Sequence, residues 1–244
     1  VIVTGYHKEG YEQYGRECFR TLQAYWKEPI VVYCEGFTPD LLRDDVEVRR
    51  PPQVMFDFLK RREHDPMMRG ELPHPGKSWK AKDRKNGYSF RYDAVKFCKM
   101  ACYAADAAER LGQGLLAWVD GDCLWDKPVP ESFLESMVEG HDLIYLGRKN
   151  YTHSDTGFVI WRLPQALPIA RQWWQFYADG SFLDQQEWHS AFLFDRAVEM
   201  HPEIDSHSIA TVHKGNVFDE HPILSYYGAH HKGIRRKQEL EAPQ

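Results

Sequence analysis

Apolar residues fall along the chain in short unbroken runs, separated by stretches where they recur every three or four positions. Val1-Ile2-Val3-Thr4-Gly5 has the pattern of a buried strand that stops at a glycine. Tyr14, Cys18, Leu22 and Tyr25 then keep helical spacing, predicting a helix over about 11–26 that Pro29 ends. Ile30-Val31-Val32-Tyr33-Cys34 is a second buried strand. Strand, helix and strand in this order form a βαβ opening, which favours a parallel sheet with helices on its faces.

From about 51 to 88 the periodicity dissolves, and Pro66, Pro73, Pro75, Gly76 and Gly87 punctuate a charged segment. A long irregular stretch of this kind is either a functional loop or a disordered one. Phe90, Ala94, Phe97, Ala101, Ala104, Ala108 and Leu111 restore helical spacing, and Gly112 and Gly114 end the helix. Leu115-Leu116-Ala117-Trp118-Val119 is apolar throughout and reads as a central strand running into Asp120-Gly121-Asp122. Pro128 and Pro130 precede a helix over about 131–139; Leu143-Ile144-Tyr145-Leu146 and Phe158-Val159-Ile160-Trp161 read as strands. Helices over about 165–177 and 186–198 and a strand over 209–213 complete the pattern. No repeat or linker divides the 244 residues, so one domain is expected, with a basic insert at about 51–88.

Composition narrows the class. Aromatic residues make up 14% of the chain, which argues against disorder. No apolar run approaches the roughly 20 residues that span a bilayer. The opening strand has neither the basic region nor the cleavage site of a signal peptide, and a cytoplasmic protein is expected. Cys18, Cys34, Cys98, Cys102 and Cys123 are odd in number and lack zinc-like spacing, so they read as packing thiols in a reducing compartment. The net charge of −5 hides an asymmetry: between Lys60 and Lys99 there are 12 Lys or Arg against five Asp or Glu. That local excess suits an anionic partner, or else a solvated loop.

Asp120 and Asp122 follow a strand, and in open α/β sheets ligands bind beyond the carboxyl ends of strands. With Gly121 relaxing the backbone between them, both carboxylates can turn toward one cation. Hard oxygen ligands suit Mg²⁺ or Mn²⁺, which commonly bridge substrate phosphates. A random arrangement would give about one Asp-x-Asp in such a chain. Position after an apolar strand is what makes this one informative; its bland alternative is a surface turn.

The run Phe90-Arg91-Tyr92-Asp93-Ala94-Val95-Lys96-Phe97, a helix, and then Leu116-Ala117-Trp118-Val119-Asp120-Gly121-Asp122 resembles the donor-binding half of GT-A glycosyltransferases. The resemblance covers most of the chain from Val1 to about His231 and is weak through the basic insert. It implies an α/β, Rossmann-like nucleotide-binding domain with a mixed central sheet flanked by helices. It further implies a nucleoside-diphosphate sugar donor, a UDP-sugar first among these, and an Mn²⁺ or Mg²⁺ ion. By this resemblance Thr4, Gly5 and Tyr6 would meet the nucleoside, with Tyr6 stacking on the base. Arg91 and Lys96 would lie near the nucleotide phosphates; Asp120 would contact ribose or metal, and Asp122 the metal. Asp155-Thr156-Gly157-Phe158 resembles the turn that lines the sugar pocket, with Gly157 allowing close approach and Asp155 bonding sugar hydroxyls. Asp184 or Glu187 would be the base in an inverting reaction, against the plainer reading of an acidic helix N-terminus. His230 through Lys237 resembles a His-x-x-Gly-x-x-Lys element, in which His230 completes the metal site and Gly233 and Arg236 lie at the diphosphate. Here Arg236 stands at the lysine position, and His213 competes for the role of His230.

The acceptor is open at this level: a glycan, a lipid-linked phosphate or a modified nucleic acid would each suit the basic 60–99 segment. Two other classes share features with the chain. A haloacid-dehalogenase-like phosphatase also places Asp-x-Asp after a strand, but Leu124 stands where its hydroxyl residue belongs. A non-catalytic carbohydrate or nucleic-acid binding module would use the eight tryptophans and the basic insert, and would not need Asp120 and Asp122 together.

Overall fold

A computed structural model describes residues 1–148 and 153–231. Strand β1 (Ile2–His7) leads into a helical stretch made of α1 (Lys8–Gly10), a π-helical turn (Tyr11–Gly15) and α2 (Arg16–Tyr25). Strands β2 (Ile30–Glu35) and β3 (Val46–Arg49) follow, then α3 (Gln53–Arg62) and α4 (Ala81–Asn86). A 3₁₀ turn at Phe90–Tyr92 precedes α5 (Ala94–Leu111), whose N-terminus Asp93 caps by accepting from the Lys96 N–H at 2.9 Å. Strands β4 (Gly114–Val119) and β5 (Cys123–Trp125), α6 (Phe133–Val138), β6 (Leu143–Leu146) and β7 (Asp155–Leu163) come next. The described chain ends with α7 (Leu167–Asp179), α8 (Ser190–Met200), β8 (Ser206–Ser208), α9 (Leu224–Tyr227) and β9 (Gly228–His230).

Seven strands form one sheet in the order β3-β2-β1-β4-β7-β6-β8, while β5 and β9 form a separate antiparallel pair. The sheet is mixed: β1 is parallel to β2 and β4, whereas β7 runs antiparallel to β4 and β6. This is the mixed α/β sheet flanked by helices that the resemblance implies. Its strands alternate between two cores, as period-two geometry requires. Val3, Val31, Tyr33, Leu116, Trp118, Val159 and Trp161 face the core under α3, α5, α7 and α8. Ile2, Ile30, Val32, Ala117, Val119, Phe158 and Ile160 face the core under α2 and α6. Burial on both faces explains why the central strands read as continuous apolar runs. Ala101, Ala104, Ala105, Ala107 and Ala108 are buried along α5, and these short side chains let the helix lie close to the sheet.

Three expectations are corrected. The stretch at 51–88 is partly helical: Met55, Phe58 and Leu59 bury one face of α3. Pro51 and Pro52 stand before the first helical residue, where proline is tolerated. The last edge strand is β8 at Ser206–Ser208, pairing with Leu143–Tyr145, rather than a strand over 209–213. The helix expected from about 186 begins at Ser190, so Asp184 and Glu187 precede it rather than form its first turn. All five cysteines are buried and unbridged. Among the described residues no helix is long and apolar enough to cross a membrane.

The basic insert is tied to the fold by a buried ion pair. Arg91 Nη2 lies 2.8 Å from Asp83 Oδ2 and donates to the Ser78 carbonyl at 3.2 Å, and Arg91 Nη1 is 3.5 Å from Glu187 Oε1. Burial works against the charge of Asp83, but hydrogen bonds from Arg91, Ser89 and the Lys80 N–H outweigh it and hold the carboxyl below its usual range. A carboxylate lowered on folding contributes stability above its unfolded pKa of about 3.9, and that stability is lost as the pH falls through the folded value. Arg91→Ala is therefore expected to cost about 3 kcal/mol at neutral pH, because two acids lose their buried partner. Urea unfolding should show the difference from the parent narrowing as the pH is lowered through the carboxylate range.

Candidate active site

Strand order reverses at β1 and β4: β1 continues through α2 to β2 on one side, and β4 lies on the other. The carboxyl ends of these two parallel strands open a crevice, the usual ligand position in such sheets. A cavity of about 1100 Å³ occupies it, lined among others by Gly5, Asp120, Asp122, Asp155 and His230.

Asp120 leaves β4 with its backbone N–H bonded to the Gly157 carbonyl at 2.9 Å, and the Trp118 indole donates to its Oδ1 at 2.8 Å. Asp122 stands just before β5, where Cys123 pairs with His230 of β9. This three-residue ladder carries a histidine 108 positions away onto the aspartates. His230 Nε2 lies 2.9 Å from Asp122 Oδ1 and 3.5 Å from Asp120 Oδ2. The backbone behind it is fixed: Asp219 accepts from the His230 N–H at 2.8 Å, and Asn216 donates to its carbonyl at 2.8 Å. His213, the competing histidine, is exposed and does not line the cavity.

Two glycines make room for this packing. A Cβ on Gly157 would meet His230 Cε1 at 2.3 Å and Nδ1 at 2.7 Å, so the imidazole lies directly over that backbone. The close approach expected there from a sugar is made by His230. A Cβ on Gly121 would meet the Tyr6 ring at 2.6 Å. Gly121 thus admits an aromatic ring beneath the two aspartates.

The triad suits a divalent cation. Its ligand atoms lie within 4.8 Å of one another, and two carboxylates with one imidazole form a mostly hard donor set of the kind Mn²⁺ accepts. His230 is 1% exposed, so its position is set by the protein rather than by solvent.

Around the triad, Asp155 is buried at the start of β7. Its Oδ1 accepts from the Gly157 N–H at 3.0 Å, and its Oδ2 is 3.6 Å from Arg148 Nη2. Lys96, Lys99, Arg69 and Arg148 bring cationic groups to the cavity wall. Lys99 is 2.6 Å from Glu35 Oε2, and the Tyr103 hydroxyl donates to Glu35 Oε1 at 3.0 Å, fixing a carboxylate at the end of β2.

Other candidate residues fall elsewhere. Thr4 is fully buried in β1. Gly5 and Tyr6 line the cavity, but Tyr6 is enclosed by Tyr11 and Phe19 at 5.4 and 5.9 Å and does not present a free face to a base. Lys96 lines the cavity and is exposed, whereas Arg91 is buried against Asp83 and Glu187 and does not. Lys80, Lys82, Arg84 and Lys85 of the basic insert are exposed outside the cavity. Asp184 is exposed and likewise outside it, which leaves it no path to a reacting group there. Gly233 and Arg236 lie outside the described residues.

Glu187 belongs to a second group that the sequence reading passed over. His153 Nε2 and His189 Nε2 each lie 3.0 Å from Glu187 Oε2, and both histidines line the cavity. Burial works against the charge of Glu187, but the two histidines outweigh it and hold the carboxyl well below the usual range. A carboxylate so stabilised is a poor proton acceptor. Both histidines sit inside motifs already notable for their acids, His153 two residues before Asp155 and His189 two after Glu187.

In overall structure the chain is similar to mouse xyloside xylosyltransferase 1 in its apo form. The TM-score is 0.49 at 10% identity, over 86% of this chain and 84% of that one. It is also similar to a glycosyltransferase involved in the glycosylation of the major capsid of PBCV-1, with a TM-score of 0.46 and 12% identity over 98% of each chain. No protein-family model matches the chain, and no curated protein matches it in sequence.

Proposed function

We propose that the chain is a glycosyltransferase that takes a nucleoside-diphosphate sugar as donor and a divalent cation as cofactor. The observation that carries this reading is the convergence of Asp120, Asp122 and His230 at the carboxyl end of β4, on the wall of a cavity large enough for a nucleotide sugar. Asp122 and His230 hold the cation, with Asp120 beside them oriented by Trp118. A cation there supplies positive charge that offsets the negative charge growing on the departing diphosphate.

The remaining roles follow from position. The nucleoside lies toward the ends of β1 and β2, where Gly5, His7, Tyr14 and Glu35 line the cavity. Lys96 and Arg148 add positive charge for the phosphates. Asp155, held by the Gly157 N–H, accepts hydrogen bonds from donor sugar hydroxyls. The acceptor, a glycan hydroxyl in the simplest case, enters from the side of His153 and Phe90.

Thermal unfolding with UDP, GDP and ADP, each with and without Mn²⁺, tests the reading. One diphosphate at about 100 times its Kd should stabilise the protein by about 2.7 kcal/mol, and only with the cation present. Equal melting with every nucleotide, whether or not Mn²⁺ is added, would overturn it.

A further inference from the structure

The second group in the cavity has the form of a cation site in its own right. His153 Nε2, His189 Nε2 and one carboxylate oxygen of Glu187 lie within 4.8 Å of one another. Among the described residues only this group and the Asp120 triad bring three such ligand atoms together. Both imidazoles approach the same oxygen, Oε2, at 3.0 Å each. Ligands about 2.1 Å from a metal and at right angles to one another are separated by about 3.0 Å, so a spacing that serves here as a hydrogen bond also matches neighbouring corners of one coordination sphere.

The surroundings support ligation through a single oxygen. Arg91 faces the other carboxylate oxygen, Oε1, at 3.5 Å, and is itself neutralised by Asp83 at 2.8 Å. Glu187 is thereby oriented with Oε2 turned to the two imidazoles that would share a cation with it, as partners behind a ligand commonly arrange. Phe97 and Phe90 stand against the His189 ring and Phe192 against His153, giving the histidines an apolar backing. Glu187 and His189 are buried, while His153 is 27% exposed at the cavity, so the group opens toward the cavity through His153.

We infer that His153, His189 and Glu187 form a second divalent-cation site, separate from the Asp120 triad and selective for imidazole-preferring ions such as Zn²⁺ or Co²⁺. Two imidazoles and one carboxylate make a softer donor set than two carboxylates and one imidazole, so the sites should differ in preference. His153 and Gly157 are four residues apart, which at roughly 3.3 Å per residue bounds their backbone separation near 13 Å. Ligand residues of both sites line the same cavity. The inference rests on the ligand geometry and not on the donor chemistry proposed above.

Titration calorimetry of the full chain with Zn²⁺ tests it. The parent should bind two equivalents, Asp122→Asn one, His153→Ala one, and the double variant none. His153→Ala should weaken the second equivalent by at least about 100-fold. His189→Gln, closer in volume at a buried position, provides a second route to the same loss, and thermal melting establishes that each variant is folded. Co²⁺ absorption in the visible range gives an independent readout, since bands retained in Asp122→Asn should disappear in His153→Ala. A single equivalent removed by Asp122→Asn and untouched by His153→Ala overturns the second site while leaving the proposed function standing. Two equivalents that both survive His153→Ala and His189→Gln overturn it as well.

Discussion

Asp122→Asn is expected to reduce sugar transfer by about 10³-fold while leaving the fold intact. The carboxylate is partly exposed at the cavity, so its replacement by an isosteric amide empties no core space. What it removes is the negative charge of the proposed cation ligand opposite His230, and with it several kcal/mol of the stabilisation proposed for charge developing on the diphosphate. About 4 kcal/mol in the transition state corresponds to a factor of about 10³ in rate. Single-turnover donor hydrolysis in saturating Mn²⁺, read beside the melting temperature, separates this from simple unfolding. A variant that retains parental turnover would sink the metal-assisted mechanism.

Gly157→Ala should have the next largest effect, through a neighbour rather than through its own chemistry. The new methyl would overlap the His230 ring, which is already closed in by Phe218 at 5.8 Å. Overpacking of this kind costs about 1–3 kcal/mol of stability. The ring must also move off Asp122, and Mn²⁺ affinity should fall by about 100-fold. A double-mutant cycle isolates the route: with His230→Ala in place, adding Gly157→Ala should cost no further affinity. Additive losses would show that Gly157 acts on the cation by some other path.

Elements with strong local patterning were legible in the sequence. β1, β2 and β4 are continuous apolar runs because both faces are buried, and α5 shows its alanine stripe plainly. β3, β5 and β9 are three or four residues long, too short for any period to register. The same physics divides the site. Asp120 and Asp122 are marked by the strand that delivers them. His230 is reached only through the resemblance, because its position depends on a three-residue pairing with β5, more than 100 positions away, which no local signal encodes. Arg91 has the sequence look of a phosphate ligand, yet Asp83 and Glu187 enclose it. His153 and His189 carry no signal of their own in the sequence, since shared contact with Glu187 is a property of the folded chain alone.

The β5–β9 pair lies outside the seven-stranded sheet, so the sheet and the histidine depend on different segments of the chain. Every strand of the large sheet precedes residue 209, so none of its pairings uses a residue of β9. The aspartates take their place from β4, and the third group of the proposed cation site joins them only through the pairing of Gly228–His230 with Cys123–Trp125. A chain shortened before Gly228 would thus keep every strand of the large sheet while lacking the histidine of the proposed site.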